Sequence, residues 1–204
     1  MSTAFFLKGI ILGFSIAAPV GPIGLLCINR TLTGGMLVGF LSGAGAATAD
    51  GLYGCVAAFG VSAVSSLLVE SQFGLRLAGG VFLLYLGYGA FRAKPSETRA
   101  NTGSNSLAGA YLSTLFLTLT NPMTILSFAG IFAGLGIGDA QGNVVLAGLL
   151  VAGVFMGSLL WWMTLSGVVG LLRSRFDTGR LMWVNRLSGV IICGFGVFSL
   201  LSVF

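Results

Sequence analysis

The 204-residue chain is 56% hydrophobic and only 7% charged, with a mean hydropathy of +1.02. Soluble domains carry about 25% charged residues, so this composition cannot cover a water-facing surface. It specifies an all-α integral membrane protein, and the net charge of +5 lies in gaps between apolar runs rather than in a nucleic-acid-binding pattern.

A crossing needs about 20 residues. Six runs approach or exceed that length: Ala4–Ile28, Met36–Val61, Leu75–Phe91, Leu107–Leu135, Val144–Leu172 and Leu187–Phe204. The first could imitate a signal peptide, but Lys8 makes a weak n-region and the run continues past Pro19 and Pro22. Ser62–Gly74, with Glu70 and Gln72, is expected at the membrane interface.

The first run contains Ala18-Pro19-Val20-Gly21-Pro22. Proline lacks an N–H and clashes with the carbonyl four residues earlier. Pro19 therefore frees the carbonyl of Ser15, and Pro22 that of Ala18. Gly21 between them permits unusual backbone angles. Freed backbone at membrane depth is tolerated only against protein or a water-filled cavity. The helix should break here and line a site, or else form a packed kink.

The second run holds Asp50. Its helical neighbours Gly39, Gly43, Ala46 and Gly54 form a small-residue face where another helix can approach. A charge at bilayer depth costs about 2.5–3.5 kcal/mol by insertion scales, which makes Asp50 a functional candidate by default. The plainer alternative is a carboxyl that only joins two helices.

The longest polar gap, about residues 93–106, divides the chain into halves of three runs each. The expected architecture is one transmembrane domain over 1–204. Repeat 1 covers about 1–92, a cytoplasmic linker about 93–106 and repeat 2 about 107–204. Three crossings per half make the halves antiparallel, as inverted repeats require.

The fourth run contains Thr118-Leu119-Thr120-Asn121-Pro122-Met123-Thr124. Pro122 frees the carbonyl of Thr118, and Asn121 offers donors and an acceptor beside the break. Its position matches Pro19 and Pro22 in the first half, and paired interruptions point to a transporter site. The threonine hydroxyls suit a zwitterion, or simply bond back to their own helix.

Gly35, Gly39 and Gly43, then Gly130, Gly134 and Gly138, then Gly153 and Gly157, recur every four residues. They read as helix-packing faces within one chain, with a homodimer seam as the alternative. Trp183 reads as an interface anchor, while Trp161 and Trp162 lie deeper and one of them is expected to face the cavity.

Basic residues alternate between the gaps. Arg30, Arg92, Lys94, Arg99, Arg173, Arg175, Arg180 and Arg186 fall on one side, Lys8 and Arg76 on the other. The richer side is expected to be cytoplasmic, which puts both termini outside the inner membrane.

The absence of histidine removes the usual imidazole metal ligand. No catalytic motif, cofactor site or resident metal site is expected. A divalent-cation exporter would need more intramembrane ligands than Asp50. A membrane thiol–disulfide carrier would need two cysteines near the first and fourth runs. Cys27 ends the first, and the fourth has none.

Gly13–Pro22, GFSIAAPVGP, is followed by Asn29-Arg30-Thr31 and Gly34-Gly35. Together with Gly45–Gly51 (GAATADG), Leu77–Arg92 (LAGGVFLLYLGYGAFR) and Asn121-Pro122, these motifs resemble the LysE-type amino-acid exporter family. The similarity covers the whole length in order. It implies a six-span secondary exporter of amino acids driven by a proton or ion gradient. Met123 stands where some branches carry lysine, and Ile125-Leu126-Ser127-Phe128 lacks the acid of lysine exporters. These departures direct the expectation to a neutral amino acid or similar small zwitterion. Asp50 would then serve proton coupling or hold the substrate ammonium.

Overall fold

The structure is a computed structural model that describes residues 2–19, 21–58, 72–92, 104–121, 124, 128, 143–173 and 178–201. Among these residues the chain is all-helical: α1 (Ser2–Ala17), α2 (Pro22–Gly34), α3 (Met36–Ala58), α4 (Gln72–Arg92), α5 (Ser104–Leu119), α6 (Val144–Leu172) and α7 (Thr178–Leu201). Most of the segment expected at the interface, the polar linker, Pro122 and the Gly130–Gly138 series lie outside the described residues.

Val144–Leu172 and Met182–Leu201 are each long and apolar enough to cross a membrane, and α1 with α2 adds a third candidate as one broken span bent by 82°. The break falls at Pro19. Ala18 still donates to the carbonyl of Phe14, Gly21 N–H turns back onto the Pro19 carbonyl, and α2 restarts with Leu25 N–H on the Gly21 carbonyl. Pro22 occupies the first turn of α2, where its missing N–H costs nothing. The unusual angles expected of Gly21 are not used: its φ of −100° and ψ of −162° are extended. The glycine that exploits its freedom is Gly35, at φ 103°, which ends α2 and lets α3 begin at once.

Glycines set the helix pairing. A Cβ at Gly9 or Gly13 of α1 would fall on backbone of Leu150 or Val154, and one at Gly153 or Gly157 of α6 on backbone of Phe6 or Ile10. Residue numbers rise together along this seam, so α1 and α6 run parallel. Gly43 meets Trp162, Gly51 meets Phe155 and Gly54 meets Val151, so α3 and α6 are antiparallel. The same reading makes α4 and α7 antiparallel, with Gly80 against Leu200 and Gly87 against Cys193. Gly45 lies on the backbone of Tyr111 and Leu115, packing α3 against α5. Gly153, Gly157 and Gly43 thus pack inside the chain, as does Gly39, where a Cβ would meet the Thr31 side chain of α2.

One buried cluster draws on all seven helices, including Ala17, Leu26, Cys27, Ala46, Ala47, Leu83, Leu117, Trp162 and Ile192. The outside is apolar as well: Leu171, Val144, Tyr85 and Trp183 are all more than two-thirds exposed. In water such a surface would be an aggregation hazard. In a bilayer it faces its proper solvent.

Candidate functional site: a cavity between opposite charges

A cavity of about 590 Å³ opens beside the α1–α2 break. Its wall is built from the break and the first turn of α2, the middle of α3, the start of α4, the C-terminal turn of α5, Trp162 of α6 and the end of α7. The wall is mostly apolar. Asp50 and Arg76 are the charged residues among those described that line it.

Asp50 sits in the middle of α3 and is 3% exposed. Ser158 of α6 donates a 2.7 Å hydrogen bond to Asp50 Oδ2. Trp162, one turn further along α6, donates its indole N–H to the same Ser158 hydroxyl at 3.2 Å. The close α3–α6 approach at Gly43, where a Cβ would fall on Trp162, makes this chain possible. Ser158 fixes one carboxylate oxygen, and Asp50 presents the remaining acceptor capacity to the cavity.

The C-terminal turn of α5 supplies the facing wall. Asn121 N–H bonds to the Thr118 carbonyl, and Thr124 N–H to the Asn121 carbonyl, forming a turn where the helix stops. Tyr53, one turn from Asp50, donates its hydroxyl to the Leu119 carbonyl at 2.6 Å. One of the orphan carbonyls at this helix end is thereby satisfied. Thr118 and Thr120 line the cavity, but their hydroxyls donate to carbonyls of their own helix, Thr114 at 2.8 Å and Phe116 at 2.9 Å. The back-bonded alternative therefore holds for both.

Arg76 reaches the cavity from the first turns of α4, and Ser199 of α7 donates to its carbonyl at 3.1 Å. One turn on, Gly79 brings α4 against the Thr120 carbonyl.

Pro19, Gly21, Pro22, Asp50, Thr118 and Asn121 all line the cavity. Ser15 does not. Its side chain is exposed, because it projects from the face of α1 opposite the buried Gly9, Gly13 and Ala17. Pro122 lies outside the described residues. Trp162 is the tryptophan that faces the cavity, while Trp161 packs edge-on against Phe14.

Three contributors had gone unrecognised. Ser158 is one of three hydroxyls in a strongly apolar run, with Thr164 and Ser166, and nothing local distinguishes it from the other two. Tyr53 lies on the same helical side as Asp50, three residues on. Arg76 was counted as a charge of a loop between spans, because a moderately apolar segment precedes it.

The sequence profile of the LysE type translocators matches residues 14–202. The chain belongs to the LysE type translocator family. It is 29% identical over 196 residues to "Putative amino acid efflux protein YcgF" of Bacillus subtilis (strain 168), covering 95% of this chain and 93% of that protein. It is 27% identical over 181 residues to the uncharacterized membrane protein YahN of Escherichia coli (strain K12), covering 87% and 79%. With the uncharacterized membrane protein slr1627 of Synechocystis sp. it shares 25% identity over 195 residues, 92% of this chain and 91% of that protein. No solved structure matches the chain. As a LysE type translocator, the protein is a transmembrane exporter from a family of transporters rather than enzymes.

Proposed function

We propose that this LysE type translocator exports a small zwitterion, an amino acid or close relative, across the bacterial inner membrane. The observation that carries this reading is the cavity itself: a mostly apolar wall on which Asp50 and Arg76 are the charged residues among those described. Asp50 receives the ammonium, Arg76 attracts the carboxylate, and Asn121 offers both donors and an acceptor between them. The ends of the broken helices agree in sign. The N-terminus of α2 carries partial positive charge and the C-terminus of α5 partial negative charge, and both end on the cavity.

Coupling follows from the same carboxyl. A buried carboxylate is costly unless it is paired or protonated. Asp50 accordingly holds either a proton or the substrate ammonium, and exchanging one for the other gives antiport. Alternating access moves the cavity opening from one face to the other.

The pairing of the helices supports six crossings in two inverted repeats. Such repeats exchange the first span with the fourth, the second with the fifth and the third with the sixth. Under that exchange the α1–α6 pair maps onto the α5–α3 pair, while α3–α6 and α4–α7 map onto themselves. Among the described residues these are the four most extensive helix contacts. The parallel and antiparallel directions along the glycine seams also agree with successive crossings that alternate in direction. The basic excess puts the linker in the cytoplasm and both termini outside.

The test uses right-side-out vesicles loaded with an isotope-labelled amino-acid mixture under an imposed proton gradient, acidic outside. The unaltered protein releases a subset of the mixture, and release stops when a protonophore collapses the gradient. Asp50→Asn abolishes gradient-driven release at normal expression, and Asp50→Glu retains part of it. Arg76→Gln weakens release of zwitterions more than of the corresponding decarboxylated amines. Full release by Asp50→Asn would reduce that carboxylate to a structural tie.

A further inference from the structure

We infer that Arg30 is the latch of a gate that closes the cavity on the α2–α3 side, and that α2 is the moving part. The inference rests on export by alternating access, but not on the identity of the substrate.

α2 is a 13-residue piece, separated from α1 by the break at Pro19 and from α3 by the left-handed Gly35. Its first turn borders the cavity. Behind that turn, Leu26 and Cys27 are 4% and 0% exposed and pack in the central cluster with Ala47 and Ile192. This small apolar plug seals the cavity from the far end of α2. A displacement of α2 would open a path through it.

The far end of α2 is tied by polar contacts to α3, α5, α7 and the residue that follows α6. Arg30 Nη1 donates to Ser42 Oγ of α3 at 3.1 Å, and to the Ala110 carbonyl and Thr114 Oγ1 of α5, both at 2.9 Å. Arg30 Nη2 donates to Ser113 Oγ of α5 at 2.8 Å. Asn29 Nδ2 donates to Asn185 Oδ1 of α7 at 2.8 Å, a buried contact. Arg173, just after α6, donates to the carbonyls of Leu32 and Thr33 at 2.8 Å each. Arg30 was counted among loop charges that set orientation, yet its guanidinium lies between helices.

The chemistry suits a reversible closure. The Arg30 partners are three hydroxyls and one carbonyl, all neutral, and water can replace each of them when this side floods. Breaking a buried ion pair would strand an uncompensated charge, which is far more costly. A seal of apolar contacts alone would give no defined closed register. A fan of neutral hydrogen bonds gives register and can still be released.

Cys27 provides the readout. It is fully buried in the plug, whereas Cys55 of α3 and Cys193 of α7 are only partly buried and lie elsewhere. The purified full-length protein in liposomes is treated with N-ethylmaleimide, and each cysteine is quantified by peptide mass spectrometry. In the unaltered protein Cys27 reacts slowest. In Arg30→Gln it reacts at least about tenfold faster, the shift expected when opening is eased by the worth of one or two net hydrogen bonds. Cys55 and Cys193 keep their rates. Arg30→Lys lies between, and Asn185→Ala, which loosens α2 from α7 with Arg30 intact, accelerates Cys27 in the same selective way. An unchanged Cys27 rate in folded Arg30→Gln overturns the latch. So does an equal rise at all three cysteines, which would mean a loosened fold. Should Arg30→Gln fail to accumulate, the Asn185→Ala rates decide by the same criteria.

Discussion

Replacing Gly13 with alanine tests the close α1–α6 seam that places the helix break beside Asp50. A Cβ built there falls on the carbonyl oxygen of Val154 and lies 2.7 Å from its carbonyl carbon. Carbon atoms in contact prefer about 3.5–4.0 Å, and these neighbours are backbone that no rotamer change can move aside. The helices must therefore part by roughly 1 Å, and a gap of that size forfeits about a quarter to a half of each contact along the seam. Gly9, Gly153 and Gly157 meet opposing backbone on the same seam, so the loss spreads over about two turns. Overpacking of this kind costs about 1–3 kcal/mol, and the expectation here is the upper part of that range. The control is Gly148→Ala on the same α6, where a new Cβ meets nothing within 4 Å. Its stability should hold or rise, by up to about 1 kcal/mol, through the better helix propensity of alanine. Unfolding in mixed micelles, followed by tryptophan fluorescence, gives the comparison, and Trp161 against Phe14 reports directly on the seam. Equal stability of the two variants would mean that α1 and α6 do not pack at backbone distance, and the assembly of the cavity wall would have to be redrawn.

Ser158→Ala removes the donor to Asp50 and strands the buried indole N–H of Trp162. It should cost about 1–3 kcal/mol of stability and slow gradient-driven export, with Ser158→Thr recovering part of the rate. An unaltered export rate in Ser158→Ala would separate this hydrogen bond from the coupling step. Reporter fusions at Phe204 and within the 93–103 gap should locate to opposite faces of the membrane, the C-terminal one outside. Both reporters on one face would reject the six-crossing arrangement.

Much of the site was legible before any fold was known, because its signals are local. An acid in an apolar run announces its own cost wherever it lies, and Asp50 does line the cavity. Prolines inside an apolar run weaken the helix locally, so an interruption within Ala18–Pro22 was legible, although a packed kink was also open until the structure showed the 82° bend. Asn121 could be placed at the stop of α5 for the same reason. Ser15 was misjudged because freeing a carbonyl says nothing about which face of α1 turns inward. Gly21 was misjudged because an extended backbone was enough to restart the helix.

The sequence by itself determined the membrane class, the helical content and the family, and it marked Asp50 as an acid inside an apolar run. Each of these follows from composition, hydropathy or chain-local sterics. Only the tertiary structure decided what stands opposite what: Ser158 and Trp162 behind Asp50, Tyr53 on the end of α5, Arg76 at the cavity and Arg30 between α3 and α5. The physical reason is that glycine stripes permit close approach without specifying a partner. Which stripe meets which, and so whether an arginine serves as a loop charge, a ligand or a latch, is settled only when all seven helices pack together.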